Sequence, residues 1–287
     1  LMAAIFSKID LHTHSKASDG GLTPTQLVER AYSRGLTHIA LTDHDTTLGI
    51  KEAKEAAEGK IQLIEGCELS TTFNNNQIHI VGLFIDPNAP SIQSYIQDQK
   101  QRRIERAKAI GAKLEKQGFA NAYEECKKLA SEDATITRGN YAAYIAKMGR
   151  AQDVNDAFDS YLKKGKSCYV KTLWPDIKVA VEAIQNAGGV AVLAHPNRYQ
   201  LTNTRRRELI SYFKECGGDA MEVCNSQINA TDYDLLNKLC LEYQLLASFG
   251  SDFHQEGTYR ELGLNLRLED CVKPVWTCPQ ALKYHFE

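Results

Sequence analysis

Six of the eight histidines in this 287-residue chain fall where predicted β-strands end. His12 and His14 are two positions apart, and the same spacing separates Asp252 from His254. Alternate residues of a strand point to the same side, so both members of each pair can reach one ion. Imidazole is the commonest protein metal ligand when it is neutral and held in orientation. The spacing therefore indicates a metal site.

Further candidate ligands are the carboxylates of Glu68 and Asp19. Glu68 ends an otherwise apolar strand, where burial without a partner is costly; a metal would be one partner and a salt bridge to Lys or Arg another. Asp19 follows Ser18 in a loop, where a turn-forming role is the alternative. The nine predicted N and O ligands are His12, His14, Asp19, His44, Glu68, His79, His195, Asp252 and His254.

Two of these histidines carry signals of different kinds. His195 ends an apolar strand and is followed by Pro196, which prevents extension of the strand. His79 stands inside an apolar run, and a lone histidine there is more often a satisfied core residue. By contrast, His38 starts its predicted strand, so we expect it at the opposite end of the sheet with a structural role.

Seven short apolar runs predict the strands that must position these side chains. They are Lys8–His12, His38–Thr42, Ile61–Glu68, Gln77–Ile85, Val190–Ala194, Ala220–Cys224 and Leu245–Ser248. Several are nearly continuous in apolar residues, which is typical of parallel strands buried on both faces. Strand ends converge at the mouth of a barrel, so ligands distant in sequence can meet there.

Amphipathic stretches between most strands predict helices at about 24–34, 175–187, 204–215 and 230–243. A further helix is predicted to be capped by Thr46 or Thr47 and to end near Gly59. Alternating strands and helices predict an α/β fold with right-handed crossovers. The exception is a hairpin, which Asn74-Asn75-Asn76 predicts between the third and fourth strands.

Residues from about 91 to 165 interrupt this rhythm with helical patterns at about 91–116, 121–131, 138–147 and 153–163. We expect an inserted helical subdomain at 99–166 between two barrel parts, 1–98 and 167–287. Its charge-rich run Gln101–Arg106 is most simply a solvated helix face, although it could also track an RNA backbone.

Composition excludes several classes of protein. A net charge of −2 predicts no general attraction to nucleic acid, and no apolar run reaches the ~20 residues of a membrane span. The eight cysteines form no CxxC pair and are expected to be reduced core thiols, which favours a cytoplasmic protein without a signal peptide. No membrane association and no obligate protein partner is expected.

The motifs His12-Thr13-His14, Thr42-Asp43-His44, His195 and Asp252-Phe253-His254 resemble those of the PHP (polymerase and histidinol phosphatase) superfamily. The resemblance covers the whole chain and is strongest to the bacterial branch with 5′→3′ exoribonucleases and 3′,5′-nucleotide bisphosphate phosphatases. It implies a distorted (β/α)7 barrel and a trinuclear metal centre.

The ligand sets that the resemblance implies divide the nine residues among three ions. One ion would take His12, His14, Glu68 and Asp252; a second would share Glu68 and add His79 and His195; the third would take Asp19, His44 and His254. N and O ligands without thiolate suit Mn, Zn or Fe(II), and Mn is the expected metal. Closely spaced ions can activate a bridging water and clamp phosphoryl oxygens.

The catalytic candidates beside the ions are Asp43, which neighbours His44, and Asp252 or His254 as proton carriers. The resemblance implies hydrolysis at the 3′-phosphate of a nucleotide that bears a 5′-phosphate, in a small bisphosphonucleotide such as pAp, in a short RNA, or in both. A 5′-phosphate needs a cationic grip, for which Arg138, Lys166 and Arg198 are candidates, each with an ordinary solvated charge as the alternative.

Three other functions stay open. A metal-dependent amidohydrolase also begins with HxH on a barrel strand, but would show eight strands and often a metal-bridging modified lysine. A histidinol-phosphate phosphatase would share the ligands and differ in substrate. A non-catalytic PHP module that binds a nucleotide would hold metal without turnover.

Overall fold

The strands of the described residues form a seven-stranded sheet whose spatial order follows the sequence. The computed structural model describes residues 5–129, 136–257 and 259–286. The strands are β1 Ile9–Asp10, β2 His38–Leu41, β3 Gln62–Phe73, β4 Asn76–Leu83, β5 Val190–Leu193, β6 Ala220–Cys224 and β7 Leu246–Phe249. Pairings are parallel except those of β4, which runs antiparallel to both β3 and β5.

The two edges of this sheet approach each other just beyond β1 and β7. Thr13 and Phe253 form a parallel bridge, the N–H of His14 donates to the carbonyl of Phe253 over 2.9 Å, and the N–H of Asp252 donates to the carbonyl of His12 over 2.9 Å. The sheet is therefore a nearly closed barrel, which confirms the predicted distorted seven-stranded α/β barrel.

The helices of the described residues are α1 Pro24–Ser33, α2 Ile50–Ala57, α3 Pro90–Glu115, α4 Ala122–Leu129, α5 Arg138–Lys147, α6 Val154–Ala157, α7 Ile177–Asn186, α8 Asn203–Glu215 and α9 Ala230–Glu242. The prediction that Thr46 or Thr47 caps the second helix is wrong. Gly49 stands at the N-cap of α2 and supplies no side-chain bond, since a turn occupies the residues before it.

Alternation along β3 decides which side chains enter the barrel. Ile64 packs inside the barrel with Ala40, whereas Cys67 and Leu69 pack in the cluster that holds the apolar face of α7. Glu68 shares the parity of Ile64 and is completely buried, so its carboxylate enters the barrel interior.

Strand β4 brings His79 to the mouth of the barrel because it runs backwards. Asn74 and Asn75 form the predicted tight turn with positive φ angles of 44° and 66°. His79 lies early in β4, opposite Ser70, and its carbonyl accepts the N–H of Ala194 at the end of β5 over 3.1 Å. The beginning of a reversed strand thus lies beside the carboxyl ends of its parallel neighbours.

The chain divides into two compact units, one of Leu1–Ile96 with Pro175–Glu287 and the other of Gln97–Trp174. In the described part of the second unit every element is helical, and a π-helical turn, Phe158–Leu162, follows α6. The predicted helix at 121–131 corresponds to α4, although residues 130 and 131 lie outside the described part.

Two expectations from composition concern thiols and membranes. All eight cysteines are free, and six of them are buried. None of the helices within residues 5–129, 136–257 and 259–286 combines the length and apolar character that a membrane crossing requires.

Candidate metal centre

The carboxylate of Glu68 is the centre of a cluster of imidazoles at the barrel mouth. Its Oε2 lies 3.1 Å from Nε2 of His12, 3.1 Å from Nε2 of His14 and 3.2 Å from Nδ1 of His44. These histidines come from the ends of β1 and β2, as the sequence predicts. One oxygen atom thus faces three ring nitrogens.

The second oxygen of Glu68 faces two further histidines. Oε1 lies 2.9 Å from Nδ1 of His79 and 3.1 Å from Nε2 of His195. The Nδ1 atom of His79 is buried and lacks hydrogen-bond geometry towards any described partner despite this short separation. Glu68 therefore contacts five imidazoles, more than a carboxylate needs as hydrogen-bond partners, and its two oxygens point to two sides of the cluster.

One carboxylate oxygen of Asp252 faces the histidine cluster, and the other faces a pair of arginines. Oδ1 lies 3.1 Å from Nε2 of His14 and 3.4 Å from Nε2 of His12. Oδ2 accepts from Nη1 of Arg198 and, over 3.1 Å, from Nη1 of Arg260. The arginines fix the carboxylate so that its other oxygen stays directed at the histidines.

Asp19 lies beside the histidines in the outer part of the cluster. Its Oδ1 lies 3.3 Å from Nε2 of His254 and 3.7 Å from Nδ1 of His14, and its Oδ2 lies 3.7 Å from Nε2 of His44. The two 3.7 Å separations exceed hydrogen-bond length, yet these oxygen and nitrogen atoms, all of types that bind metals, point towards one another. Asp19 is 55% exposed, so this part of the cluster faces solvent.

The candidate ligand atoms form three groups, and the atoms within each group lie within 4.8 Å of one another. They are His12, His14, Glu68 and Asp252; His44, Glu68 and His79; and His14, Asp19, His44 and His254. The first matches the set implied by the resemblance. The other two differ in detail: His44 joins Glu68 and His79 where His195 was expected, and His14 joins the outer group. All nine predicted ligands lie at the barrel mouth.

Neighbouring carboxylates favour the protonated form of two histidines in the cluster. Burial would lower the pKa of His12, but the carboxylates Glu222, Glu68 and Asp252 raise it well above its usual value. The pKa of His14 is raised to about 9, because hydrogen bonds to Asp252 and Glu68 outweigh burial. Divalent cations would replace these protons, since ligation requires neutral imidazole.

His44 and Glu68 are in the protonation states that ligation requires. Burial lowers the pKa of His44 to about 4, helped by His14 and His79 and opposed by Glu68, so this ring is neutral near pH 7. Burial opposes ionisation of Glu68, but the surrounding histidines hold its pKa well below the usual range. The site thus offers ionised oxygens and neutral nitrogens together.

Buried nitrogen atoms without partners test whether the residues suit metal ions. Nδ1 of His14, of His79 and of His195 are buried and accept or donate no hydrogen bond among the described residues. Such atoms are costly unless something binds them. The converging N and O donors, which include the unsatisfied Nδ1 atoms of His14 and His79, fit divalent cations.

The loop that carries Asp19 is fastened by Asp43. Oδ1 of Asp43 accepts from the N–H of Ser15 over 2.7 Å and from the hydroxyl of Ser18 over 2.6 Å, and Oδ2 accepts from the Ser15 hydroxyl over 2.7 Å. Gly20 completes the loop, because a Cβ there would lie 2.5 Å from the carbonyl oxygen of His14. Asp43 therefore positions the ligand loop.

Two of the predicted ligands sit on strained backbone. His195 has a φ of 31° and Asp252 a φ of 55°, in the left-handed region that non-glycine residues rarely adopt. His195 lies two residues after the end of β5 and Asp252 three residues after the end of β7, where the chain leaves the strand direction. Strain of this kind persists at functional sites where the surroundings determine the conformation.

Glu222 is a functional residue that the sequence analysis missed. Its Oε1 lies 2.6 Å from Nδ1 of His12, and its Oε2 accepts the N–H of His195 over 2.7 Å. Carboxylates that hold a ligating imidazole in this way fix its tautomer and orientation. The signal was present, since Glu222 interrupts an apolar strand just as Glu68 does.

Replacing Glu222 with glutamine is expected to lower metal affinity or turnover about 10- to 100-fold, the usual effect of losing a carboxylate that orients a metal-bound histidine. Metal titration followed by calorimetry measures it. Unchanged affinity and rate in the Glu222→Gln protein would mean that His12 needs no such support.

Two further side chains at the mouth had no sequence signal. Arg260 lies in the loop after β7 and shares Asp252 with Arg198. The Tyr199 hydroxyl accepts the N–H of His79 over 2.9 Å, and its ring lies 5.4 Å from that of His195. Both come from irregular loops, where no periodic pattern marks a residue.

The predicted phosphate-binding residues fall in both units. Arg198 lies at the barrel mouth, and its Nη2 is buried without a hydrogen bond to described residues. Arg138 begins α5, and Lys166 is an exposed residue of the helical unit Gln97–Trp174.

The family model described as PHP domain matches residues 10–167. The chain belongs to the PHP domain family. A 5′-3′ exoribonuclease of Haemophilus influenzae is 47% identical to it over 94% of this chain and 98% of that protein. A 3′,5′-nucleoside bisphosphate phosphatase of Chromobacterium violaceum is 37% identical over 94% of this chain and 95% of that protein.

A solved structure from Chromobacterium violaceum, described as an amidohydrolase with bound sulfate and no metal, has a TM-score of 0.79 and 36% identity. It covers 94% of this chain and 95% of that one. The similarity therefore includes the barrel and the helical insertion of this member of the PHP family.

Proposed function

We propose that this PHP-family chain is a metal-dependent phosphoesterase that hydrolyses the 3′-phosphate ester of 5′-phosphorylated nucleotides. Its substrate is a 3′,5′-bisphosphonucleotide, 5′-monophosphorylated RNA degraded from the 5′ end, or both. The observation that carries the proposal is the clustering of N and O ligand atoms around Glu68 at the barrel mouth. The relatives named as exoribonuclease and bisphosphate phosphatase support the substrate class.

The ligand set would hold divalent cations, and we propose three, with Mn favoured over Zn and Fe. Such ions lower the pKa of a bound water and neutralise charge on a phosphoryl group. The protein holds the ligands rigidly, because Glu222, Asp43 and the arginine pair on Asp252 fix four of the nine side chains or their loops.

Among the protein's own side chains, His254 is the one we propose for proton transfer to the leaving group. Its ring is 25% exposed and its Nδ1 faces the carbonyl of Asp252 over 2.9 Å, so Nε2 faces Asp19 and the open mouth. When its Nε2 is not bound to the outer ion, this ring can pass a proton to the leaving group and recover one from solvent. Asp252, the other candidate, is occupied by Arg198 and Arg260 and is better suited to ligation.

The phosphate groups of the substrate need cationic partners. Arg198 offers a buried N–H beside Asp252, which suits the oxygens of the phosphate under attack. Arg138 and Lys166 are proposed for the 5′-phosphate.

The amidohydrolase alternative loses its main structural support. The described residues form seven strands, where that alternative expects eight, and Glu68 occupies the bridging position expected of a modified lysine. The non-catalytic alternative expects erosion of the ligands, yet all nine converge. A histidinol-phosphate phosphatase shares these features, and only its substrate distinguishes it from the proposed function.

The test is one Mn-supplemented assay that compares pAp, 5′-phosphorylated RNA, 5′-hydroxyl RNA and histidinol phosphate. The proposal expects release of the 3′-phosphate from pAp or of mononucleotides from 5′-phosphorylated RNA, and loss of either activity after chelation. Hydrolysis confined to histidinol phosphate, or to an amide or lactone, would contradict it, as would an inert metal-loaded protein.

Replacing Asp19 or His44 with alanine is expected to abolish turnover, because both reach the outer group of ligands. The fall should be about 10³-fold or more, corresponding to ~4 kcal/mol of lost transition-state stabilisation. The matched control is His285→Ala, which removes an exposed histidine outside the cluster. Near-normal kcat in a metal-replete Asp19 or His44 variant would remove that residue from the mechanism.

A further inference from the structure

The loop that follows β7 carries an exposed aromatic side chain close to the ligand cluster. Tyr259 is 81% exposed, and the next residue, Arg260, donates from Nη1 to Oδ2 of Asp252 over 3.1 Å. The ring therefore belongs to the residue beside one that contacts a predicted metal ligand. Large apolar side chains are exposed singly on most proteins, so the surroundings of Tyr259 decide what it does.

Two acidic residues of this loop fasten it to α1. Glu261 pairs with Arg30 through both carboxylate oxygens, Oε1 accepting from Nε over 3.1 Å and Oε2 from Nη2 over 2.6 Å. Glu256 accepts from Nη1 of the same Arg30. These contacts hold the loop on both sides of Tyr259 and neutralise the two carboxylates nearest to it in sequence. A loop held in this way loses less conformational entropy when a ligand binds to it.

Positive charge is concentrated where this loop meets Asp252. Arg198 and Arg260 both donate to the same oxygen, Oδ2 of Asp252, whereas the other oxygen faces His12 and His14. Two guanidinium groups thus face one carboxylate oxygen. The excess of positive charge attracts the phosphates of a polynucleotide.

The loop after β6 supplies hydrogen-bonding groups beside this charge. Nδ2 of Asn225 donates to Oδ1 of Asn197 over 2.9 Å, which ties this loop to the one after β5. Gln227 is exposed, and its Oε1 lies 3.5 Å from Nε of Arg260. These contacts connect the loops after β5, β6 and β7 into one surface at the barrel mouth. We call it the mouth rim, and it consists of Asn197, Asn225, Gln227, Tyr259 and Arg260.

We propose that the mouth rim binds the nucleotide that follows the scissile bond in RNA, with its base stacked on the ring of Tyr259 and its phosphate near Arg260. Base–aromatic stacking needs an exposed ring on a fixed support, and it accepts any base because every base has a π face. A single ring beside cations is far smaller than a stable protein interface, and its size matches one base.

The proposed partners of the other phosphates indicate which nucleotide the rim would take. Both phosphates of a bisphosphonucleotide are already assigned, one to Arg198 and the other to Arg138 and Lys166. The mouth rim is therefore left for the part of an RNA chain that a bisphosphonucleotide lacks. The proposal rests on the proposed function and deepens it, since it makes the mouth rim the surface that favours RNA over pAp.

The first measurement uses full-length protein freed of metal and calorimetry with 5′-phosphorylated diadenylate, pApA, and with AMP. Tyr259→Ala should weaken pApA binding about 10-fold, as expected for the loss of one base–aromatic stack, and leave AMP affinity unchanged. Tyr259→Phe keeps the ring and should match wild type. Equal pApA affinity in wild type and Tyr259→Ala, or an equal loss of AMP affinity, would overturn the proposal.

Tyr32→Ala provides the matched control for both measurements. Tyr32 is 53% exposed near the end of α1, and it lines a cavity with His38 at the opposite end of the barrel. Its replacement removes an exposed ring from the same unit without touching the mouth rim, so pApA and AMP affinities should stay at the wild-type values.

The second measurement uses the Mn-loaded enzyme and 5′-phosphorylated RNA whose second nucleotide is either intact or abasic. Wild type should cleave the abasic substrate with about 10-fold lower kcat/KM, whereas Tyr259→Ala should cleave the two substrates equally. Hydrolysis of pAp should be the same in both proteins. A wild-type enzyme indifferent to the missing base, or a Tyr259→Ala enzyme that still distinguishes the substrates, would overturn the stacking site while leaving the phosphoesterase function intact.

The two proposals fail separately. A wild-type protein that hydrolyses no phosphoester, yet loses pApA affinity on replacement of Tyr259, would contradict the proposed function and support the mouth rim as a nucleotide site. Hydrolysis of pAp without any cleavage of RNA would support the proposed function and overturn the assignment of the mouth rim to RNA.

Discussion

Replacing Glu68 with glutamine should reduce turnover at least about 10³-fold and release most of the bound metal, since cation stabilisation of a phosphoryl transition state is worth several kcal/mol. The reason is geometric: the two oxygens of Glu68 face five imidazoles within 3.2 Å. The amide keeps the shape, but it loses the negative charge and presents N–H hydrogens in place of one of the two ligating oxygens.

Glu65 provides a matched control for this experiment. It lies on the same strand, is also largely buried, and pairs with Lys54 over 2.7 Å and with Lys283 over 3.3 Å. Glu65→Gln removes a buried carboxylate from β3 without touching the cluster, so metal content and kcat should stay near wild type. Metal content by elemental analysis and kcat with pAp measure both variants. A fully active, metal-replete Glu68→Gln enzyme would contradict the role given to Glu68.

Removal of the 5′-phosphate from an RNA substrate should lower kcat/KM by at least about 10²-fold. Two lost charge-assisted hydrogen bonds at roughly 1.5–3 kcal/mol each account for this size. Arg138 and Lys166 are the residues proposed to make these bonds. The measurement compares matched oligonucleotides that differ only at the 5′ end, under identical Mn conditions.

Cleavage of 5′-hydroxyl RNA at the rate of the phosphorylated substrate would defeat the idea of a 5′-phosphate requirement. The internal control is the dependence on metal, which should be the same for both substrates, because the 5′ end is not part of the ligand cluster. A difference in metal dependence would indicate that the two substrates bind in different registers.

The sequence predicted the seven strands and the polar side chains that meet at the barrel mouth, because both leave local signals. Apolar runs mark buried parallel strands, and polar residues such as His12, His14 and His195 stand out where those runs end. Glu68 was found by the cost of burying a carboxylate in a strand. The same argument applied to Glu222 and was not used, although Glu222 contacts His12.

Other features depend on contacts that no local pattern records. His79 reaches the mouth only because β4 is reversed, and the two arginines on Asp252 come from loops of separate βα units. The sharing of His44 between two groups of ligands depends on side-chain packing. The cap of α2 was misassigned because threonine propensity favoured Thr46 or Thr47, whereas the turn ends at Gly49.

Metal content is the most direct test of the central claim that residues from position 12 to position 254 surround a common set of cations. Protein purified without chelator and supplemented with Mn should retain close to three ions per chain by elemental analysis, and crystals should show anomalous signal beside Glu68. Protein that holds no metal after supplementation, in crystals with no anomalous signal at the barrel mouth, would contradict the account.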